Sequence, residues 1–197
     1  KLGKLLGDDA VARMLTQPRN VFDFRRMMDE GSIFIADLSA LGTETRDTVG
    51  SFLMSLIHLA ALSRSNLAKS QRKPFCVYVD EAQRFIAGAL TDIIAQNRKH
   101  SVSLVLAHQF LSQFSSEYID ALGTTGFTIA FRVLQKDAER LARVIGGDFS
   151  PESFTTLKER EAIARVGTEW VKIRTPEATW EPDDTVRQRV IDRSHER

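Results

Sequence analysis

The sequence predicts an α/β fold with a mainly parallel sheet and helices on both faces. Short apolar runs that read as strands alternate with segments of helical periodicity along the chain. Near-continuous apolar strands separated by helices are typical of a parallel sheet that is buried on both sides. Two further runs near the carboxyl end are close enough to form a hairpin. We therefore expect a three-layer α/β unit that ends in an edge hairpin.

Four apolar runs are the predicted strands of the parallel sheet. The hairpin joins EAIARV to EWVKIR through Gly167-Thr168. Because ligands of parallel sheets bind beyond the carboxyl ends of the strands, the residues that follow the four runs are the candidates for a functional site. The runs are residues 32–39 (SIFIADLS), 75–79 (FCVYV), 101–109 (SVSLVLAHQ) and 126–133 (GFTIAFRV).

Helices are predicted in the intervals between the strands. The longest begins at Thr43 or Thr45, and its apolar residues recur every three or four positions. The face that we expect this helix to bury carries Val49, Phe52, Leu53, Leu56, Ile57 and Ala60. Shorter helices are expected after residue 80, near residues 111–122, from residue 135 to the Gly146-Gly147 stop, and from the Ser150-Pro151 start.

The amino-acid composition excludes some classes of function and leaves nucleic-acid binding open. With 43% hydrophobic and 27% charged residues, the 197-residue chain has an ordinary globular composition. The net charge of +1 neither requires nor excludes nucleic acid as a partner. Cys76 is the single cysteine, so an internal disulfide and a multi-cysteine metal site are excluded. No apolar stretch reaches the ~20 residues that span a bilayer.

Three of the predicted strands finish on polar groups: Asp37 after FIA, the pair Asp80-Glu81 after VYV, and the pair His108-Gln109 after LVLA. Taken alone, a carboxylate after a strand is as consistent with a cap on the next helix as with catalysis. The combination favours catalysis. A strand that ends in Asp-Glu is the Walker B arrangement of nucleoside-triphosphate hydrolases, in which Asp holds Mg²⁺ and Glu deprotonates the attacking water. Gln109 ends the following strand and can reach the same space.

Three segments of the chain resemble one protein superfamily in their motifs and in the order of those motifs. The segments resemble the second half of the RecA-like motor of the HerA/FtsK superfamily. Within it they are most similar to the TraD/TraG-type coupling proteins of conjugation and type IV secretion and to HerA-like bacterial ATPases. The resemblance covers about residues 18–165 and implies a RecA-like P-loop NTPase fold. The segments are FCVYVDEAQRF, LTDIIAQNRKHSVSLVLAHQFLSQF and GTTGFTIAFRVLQKDAERLARVIGGDFSPESF.

The resemblance implies roles for five residues. Asp80 matches the carboxylate that holds Mg²⁺, Glu81 matches the catalytic base, and Gln109 matches the glutamine at the end of the next strand. Arg98 matches the arginine finger that enters a neighbouring subunit's nucleotide site; the alternative is a cation that complements a helix carboxyl terminus. Arg132 is a candidate second phosphate-sensing arginine, with a solvent-facing strand end as the alternative.

One part of the family's pattern is missing from this sequence. The chain contains no G-x-x-x-x-G-K-[ST] phosphate loop, which in the family precedes the segment seen here together with an inserted helical domain. Because the chain also begins without Met, we expect an excised part of a longer protein. Residues 1–30 would return from the insertion, residues 31–180 would be the carboxyl-terminal part of the ATPase domain, and residues 181–197 would be a charged tail. Such a fragment should be inactive alone.

The function implied by the resemblance is that of a motor. It implies a homohexameric ring ATPase that uses ATP and Mg²⁺ to move DNA or nucleoprotein, with conjugation or secretion machinery as its partner. It implies a cytoplasmic location, with any attachment to the inner membrane made by segments outside this sequence. The alternative is a non-catalytic, ATPase-like scaffold or regulatory domain. The one basic cluster reads as a solvated loop rather than a DNA contact, and it comprises Arg64, Lys69, Arg72 and Lys73.

Overall fold

The structure is a computed structural model of the chain. It describes residues 7, 9–18, 22–85, 93, 96–114, 116–145, 149–177, 179, 181 and 183–195. Its helices are α1 (Asp9–Leu15), α2 (Phe24–Glu30), α3 (Thr43–Ser63), α4 (Ser116–Gly123), α5 (Gln135–Ile145), α6 (Pro151–Thr155) and α7 (Asp184–His195). Its strands are β1 (Phe75–Val79), β2 (Val102–Leu106), β3 (Phe127–Ala130), β4 (Glu161–Val166) and β5 (Glu169–Arg174).

The chain divides into two compact units, Lys1–Thr125 and Gly126–Arg197. The predicted α/β class is confirmed, since helices alternate with a parallel strand pair and the predicted hairpin is present. The predicted domain boundaries after residues 30 and 180 stay predictions. The helix expected after residue 80 and the Gly146-Gly147 stop fall largely outside the described residues. Within the described ranges, no helix is both long and apolar enough to cross a membrane.

In the first unit, β1 and β2 form a parallel pair whose carboxyl ends lie side by side. Phe75 pairs with Val102, and Val79 pairs with Leu106. Successive side chains of a strand point to opposite faces, so Val77 and Val79 are buried while Tyr78 is exposed. The buried face packs against a core formed by Phe24, Met28, Met54, Ile57, Ala61, Ala82 and Tyr118.

The long helix α3 is present as predicted, but the face that it buries differs from the prediction. Phe52 is 50% exposed and Leu56 is 37% exposed, so their predicted burial is wrong. The prediction counted only apolar side chains, whereas the inner face includes Gly50, where the bare backbone admits the ring of Phe85. The buried positions are Val49, Gly50, Met54, Ile57 and Ala61.

The predicted strand at residues 32–39 is wrong for this structure. The segment forms no ladder, and the side chains of Ile33 and Ile35 are 90% and 73% exposed, while Phe34 packs against the core. A cavity of about 930 Å³ lies between this segment, α3 and β1. A strand requires backbone hydrogen bonds to a neighbour, and the cavity separates the segment from the strand beside it.

A buried arginine ties the end of α3 to the segments that precede β1 and β2. Arg64 is 0% exposed, so its predicted place in a solvated loop is wrong. Its guanidinium donates to the carbonyl oxygens of His100 (3.1 Å) and Lys73 (2.7 Å) and lies 3.2 Å from Oδ1 of Asp29. Burial lowers the pKa of Arg64, and the Asp29 carboxylate opposes that shift. A buried cation is stable only with such partners, so Arg64 fixes the turn that carries residues 98–100.

The second unit is an antiparallel sheet in the order β3, β4, β5. The predicted strand at residues 126–133 is present as β3, but it pairs antiparallel with β4, with Phe127 opposite Val166. The expectation that it belongs to a parallel ladder is therefore wrong within this unit. The predicted hairpin is confirmed, and Gly167 takes a φ of 61° in its turn. The described side chains of α7 are exposed.

The contact between Gly50 and Phe85 gives a prediction about stability. A Cβ atom at Gly50 would lie 2.2 Å from a ring carbon of Phe85, and the Cγ atom of that ring would be 2.9 Å away. Overpacking usually costs about 1–3 kcal/mol, and alanine in place of glycine in a helix interior gains ~1 kcal/mol. Gly50→Ala should therefore lower the free energy of unfolding by up to about 2 kcal/mol. Urea denaturation of the 197-residue chain measures the difference.

Gly126→Ala is the matched control, because no atom lies within 4 Å of the position of its Cβ. Its free energy of unfolding should stay within about 0.5 kcal/mol of the unchanged chain. A Gly50→Ala variant that is as stable as this control would show that Phe85 does not pack on α3.

Candidate functional site

The turn after β1 brings two carboxylates to the carboxyl end of the strand pair. Asp80 is exposed, and its Oδ1 accepts a hydrogen bond from the backbone N–H of Glu81 (2.9 Å). Glu81 has φ 50° and ψ 43°, a left-handed conformation that costs a non-glycine residue about 1–2 kcal/mol. Such strain persists only where the surroundings hold it, and it is common at functional sites.

Backbone hydrogen bonds hold this turn against the end of β2. The N–H of Ala107 donates to the carbonyl oxygen of Val79 (2.9 Å), and the N–H of Ala82 donates to the carbonyl oxygen of Ala107 (2.9 Å). The parallel ladder thus continues past both strands. As a result, Glu81 after β1 and Gln109 after β2 face the same space.

Two glutamines hold the Glu81 carboxylate. Nε2 of Gln109 donates to Oε1 of Glu81 (2.7 Å), and Nε2 of Gln83 donates to Oε2 of the same carboxylate. Gln109 was expected to reach the space beside Glu81, and in the structure it makes a direct hydrogen bond to that residue. Gln83 was not among the predicted site residues. Its contact depends on the left-handed conformation of Glu81, which turns the chain so that the side chain of Gln83 meets the carboxylate, and the sequence carries no signal for that conformation.

The turn that carries Gln83 is fixed to α3. Residues Ala82–Arg84 form a short 3₁₀ helix, and Ala82 is fully buried. Nη1 of Arg84 lies 3.4 Å from Oδ1 of Asp47 on α3. Phe85 packs against Gly50 of the same helix, as described above. The backbone on both sides of Gln83 is therefore anchored.

An aromatic cluster holds the segment that carries Gln109. The His108 ring packs edge-on against Phe114, with ring centroids 4.9 Å apart, and Phe114 stacks on Tyr118 at 3.6 Å. Burial raises the pKa of Tyr118 to about 12, so the phenol is neutral at physiological pH. Gln109 itself is exposed, so its side chain is free to change partner more readily than Gln83.

The two predicted arginines, Arg98 and Arg132, are each exposed beside a strand. Arg98 is exposed in the turn before β2, and its guanidinium makes no hydrogen bond or ion pair within the part of the chain that the structure describes. It therefore lies at the amino end of the strand pair, opposite Asp80 and Glu81. Arg132 is exposed just after β3 in the second unit, at the carboxyl end of that strand. Within the first unit, the structure therefore does not bring Arg98 to the two carboxylates.

Comparison with solved structures identifies the fold. The chain is similar to VirB4 of Thermoanaerobacter pseudethanolicus, with a TM-score of 0.59 and 18% identity over 73% of this chain and 40% of that one. It is similar to the bacterial conjugative coupling protein TrwBΔN70, with a TM-score of 0.63 and 14% identity over 90% of this chain and 49% of that one. No family model and no curated protein sequence matches the chain.

A third similar structure is the genome-packaging NTPase B204 from Sulfolobus turreted icosahedral virus 2 in complex with ATPγS. The TM-score is 0.55 at 12% identity, over 81% of this chain and 74% of that one. These similarities confirm the predicted RecA-like P-loop NTPase fold. The predicted resemblance to conjugative coupling proteins agrees, at the level of the fold, with the similarity to TrwB. The chain spans about half of the length of TrwB and less than half of VirB4.

The residues at the end of β1 fit part of the Mg²⁺-nucleotide site that this fold implies. Carboxylate oxygens are preferred Mg²⁺ ligands, and exposed Asp80 leaves room for the waters that Mg²⁺ retains. The phosphate-binding half does not fit, because the sequence contains no phosphate loop. The residues present thus fit the metal side of such a site and do not fit its phosphate-binding side.

Proposed function

We propose that this chain forms the metal-and-water half of an ATP hydrolysis site in a ring-forming motor that moves DNA. The observation that carries the proposal is the hydrogen bond from Gln109 to Glu81, which joins the ends of two parallel strands at the edge where such sheets bind ligands. Further support comes from the similar folds of B204, solved with ATPγS, and of TrwB, solved with a GTP analogue.

Each residue then has a role in hydrolysis. Asp80 holds the hydrated Mg²⁺, which when bound neutralises charge on the nucleotide phosphates. Glu81 accepts a proton from the attacking water, whose oxygen bonds to the γ-phosphorus as the bond to ADP breaks. Gln109 orients that water or donates to the γ-phosphate. Arg132 binds phosphate, and Arg98 acts in the site of a neighbouring subunit, so that hydrolysis depends on ring assembly.

The partners of the motor are inferred from the same similarity. DNA or nucleoprotein is the proposed cargo, and a conjugation or secretion apparatus is the proposed machinery, as the name of TrwB as a conjugative coupling protein suggests. A non-catalytic scaffold with the same fold is the competing function. The two differ in whether Asp80 serves a metal, which nucleotide binding can measure.

Asp80→Asn tests this function through binding rather than turnover. In the complete gene product, the substitution should weaken Mg²⁺-ATP binding by about 10- to 100-fold, the usual cost of removing a group that holds a metal through water. Binding of ATP with excess EDTA should not change, because no metal then depends on Asp80. Isothermal titration calorimetry with ATPγS measures both affinities.

Asp120→Asn is the matched control, since Asp120 is an exposed carboxylate on α4. It should bind Mg²⁺-ATPγS as tightly as the unchanged protein. The scaffold function is favoured instead if the unchanged protein binds no nucleotide, or if Asp80→Asn binds it with equal affinity in Mg²⁺.

A further inference from the structure

Gln83 makes a contact that the function proposed above does not require. The Glu81 carboxylate has two oxygens, and each is engaged by a different glutamine: Oε2 by Gln83 and Oε1 by Gln109. A general base needs one oxygen open to the water that it deprotonates. The two glutamines therefore cannot play the same part.

The surroundings of the two glutamines distinguish them. Gln83 lies in the 3₁₀ turn Ala82–Arg84, which is held on one side by the hydrogen bond from Ala82 to Ala107 and on the other by Arg84 and Phe85 against α3. Gln109 is exposed at the start of an irregular segment. The hydrogen bond from Gln83 to Oε2 of Glu81 is thus the fixed one, and Oε1 of Glu81 is the oxygen that Gln109 can release.

Stability alone does not account for Gln83. Its Oε1 is buried and has no donor among the described residues, a defect that costs about 1–3 kcal/mol. An apolar side chain of the same length would avoid this cost and still fill the space. A buried group left unsatisfied in this way points to a functional reason for its presence.

We infer that Gln83 is a positioning residue for Glu81, which rests on the proposed role of Glu81 as the general base. Its amide fixes the carboxylate through Oε2 and aims Oε1 at the attacking water. The proton of that water passes to Oε1, and Gln109 leaves this oxygen before the transfer. Gln83 does not touch the water or the nucleotide itself.

The contact can be tested without any measurement of activity. In the 197-residue chain, NMR reports the side-chain amide of Gln83, and replacing its acceptor by Glu81→Ala should move those amide resonances toward the values of a free glutamine. The amide of Gln135, which donates to Glu139 in the second unit, is the control and should not move. If the chemical shifts of the Gln83 side-chain amide do not change in Glu81→Ala, the inference is overturned.

The role is tested by kinetics of the complete gene product. Gln83→Met keeps the length of the side chain and removes the donor, so kcat should fall about 10- to 100-fold while the Kd for ATPγS stays the same and the Tm does not fall. Gln83→His restores an N–H donor and should recover part of the loss. Gln135→Met, which removes the control amide, should leave kcat unchanged.

The outcomes separate the inference from the function on which it rests. If Gln83→Met loses kcat and Tm together and Gln83→His recovers neither, Gln83 is structural and the inference alone fails. If Glu81→Gln keeps full activity, the proposed function of Glu81 fails and the inference falls with it, whatever the NMR result.

Discussion

Replacing Glu81 by glutamine should lower the kcat for ATP hydrolysis by the complete gene product by about 10²- to 10⁴-fold, the contribution typical of a general base. Glutamine has the same shape, and its single carbonyl oxygen can still accept a hydrogen bond from one of the two glutamines that hold Glu81. It cannot accept a proton from the attacking water. The loss should therefore appear in kcat and not in the Kd for ATPγS, which is measured by titration alongside steady-state phosphate release.

The matched control for this change is Glu159→Gln, which makes the same substitution at an exposed glutamate of the second unit. Its kcat should equal that of the unchanged protein. Full activity of Glu81→Gln would contradict the assignment of the base, and a loss of nucleotide affinity equal to the loss of kcat would indicate a binding role instead.

Several strands were predictable because their signal is local. Residues 75–79 recur in the structure as β1, with the alternating burial that a pleated strand imposes. The predicted hairpin recurs as β4 and β5, although four consecutive side chains of β4 are buried. Residues 32–39 carry an equally apolar pattern and form no strand. A strand also needs a partner edge within hydrogen-bonding distance, and composition does not encode that distance.

The positions of the main site residues were predictable from the sequence, but the side-chain contacts between them were not. Asp80, Glu81 and Gln109 follow strands, and the rule for parallel sheets places such residues at one edge. Gln83 and Gly50 were missed for a physical reason. Gln83 contributes through a side-chain hydrogen bond to Glu81 that requires the left-handed conformation of that residue. Gly50 contributes by leaving room for the ring of Phe85, which lies 35 positions further along the chain.

Within one chain, Arg98 and Asp80 lie at opposite ends of the β1–β2 pair. The paired residues of β1 and β2 run from Phe75 and Val102 to Val79 and Leu106, four steps of about 3.3 Å, or ~13 Å. Arg98 precedes one end of this span and Asp80 follows the other. One arginine side chain does not bridge that separation, so a catalytic role for Arg98 requires the nucleotide site of a second copy.

Arg98→Ala should therefore lower the kcat for ATP hydrolysis by the complete gene product by about 10³- to 10⁵-fold, the effect of losing an arginine finger. The guanidinium makes no hydrogen bond or ion pair with the described residues, so its removal should leave the Tm of the subunit unchanged. Lys99→Ala is the matched control, because it removes an exposed cation from the adjacent position of the same turn. It should keep normal activity.

Mixing two inactive variants tests whether the arginine acts between subunits. The Arg98→Ala subunit retains Glu81, and the Glu81→Gln subunit retains Arg98, so a contact between the two contains one complete site. In a ring of equal, randomly mixed subunits about a quarter of the contacts are complete, because head-to-tail interfaces pair each site with one neighbour. Phosphate release should then recover to a comparable fraction of the unchanged rate. No recovery in rings shown to contain both variants would contradict a role in a neighbour's site, and full activity of Arg98→Ala alone would contradict any catalytic role.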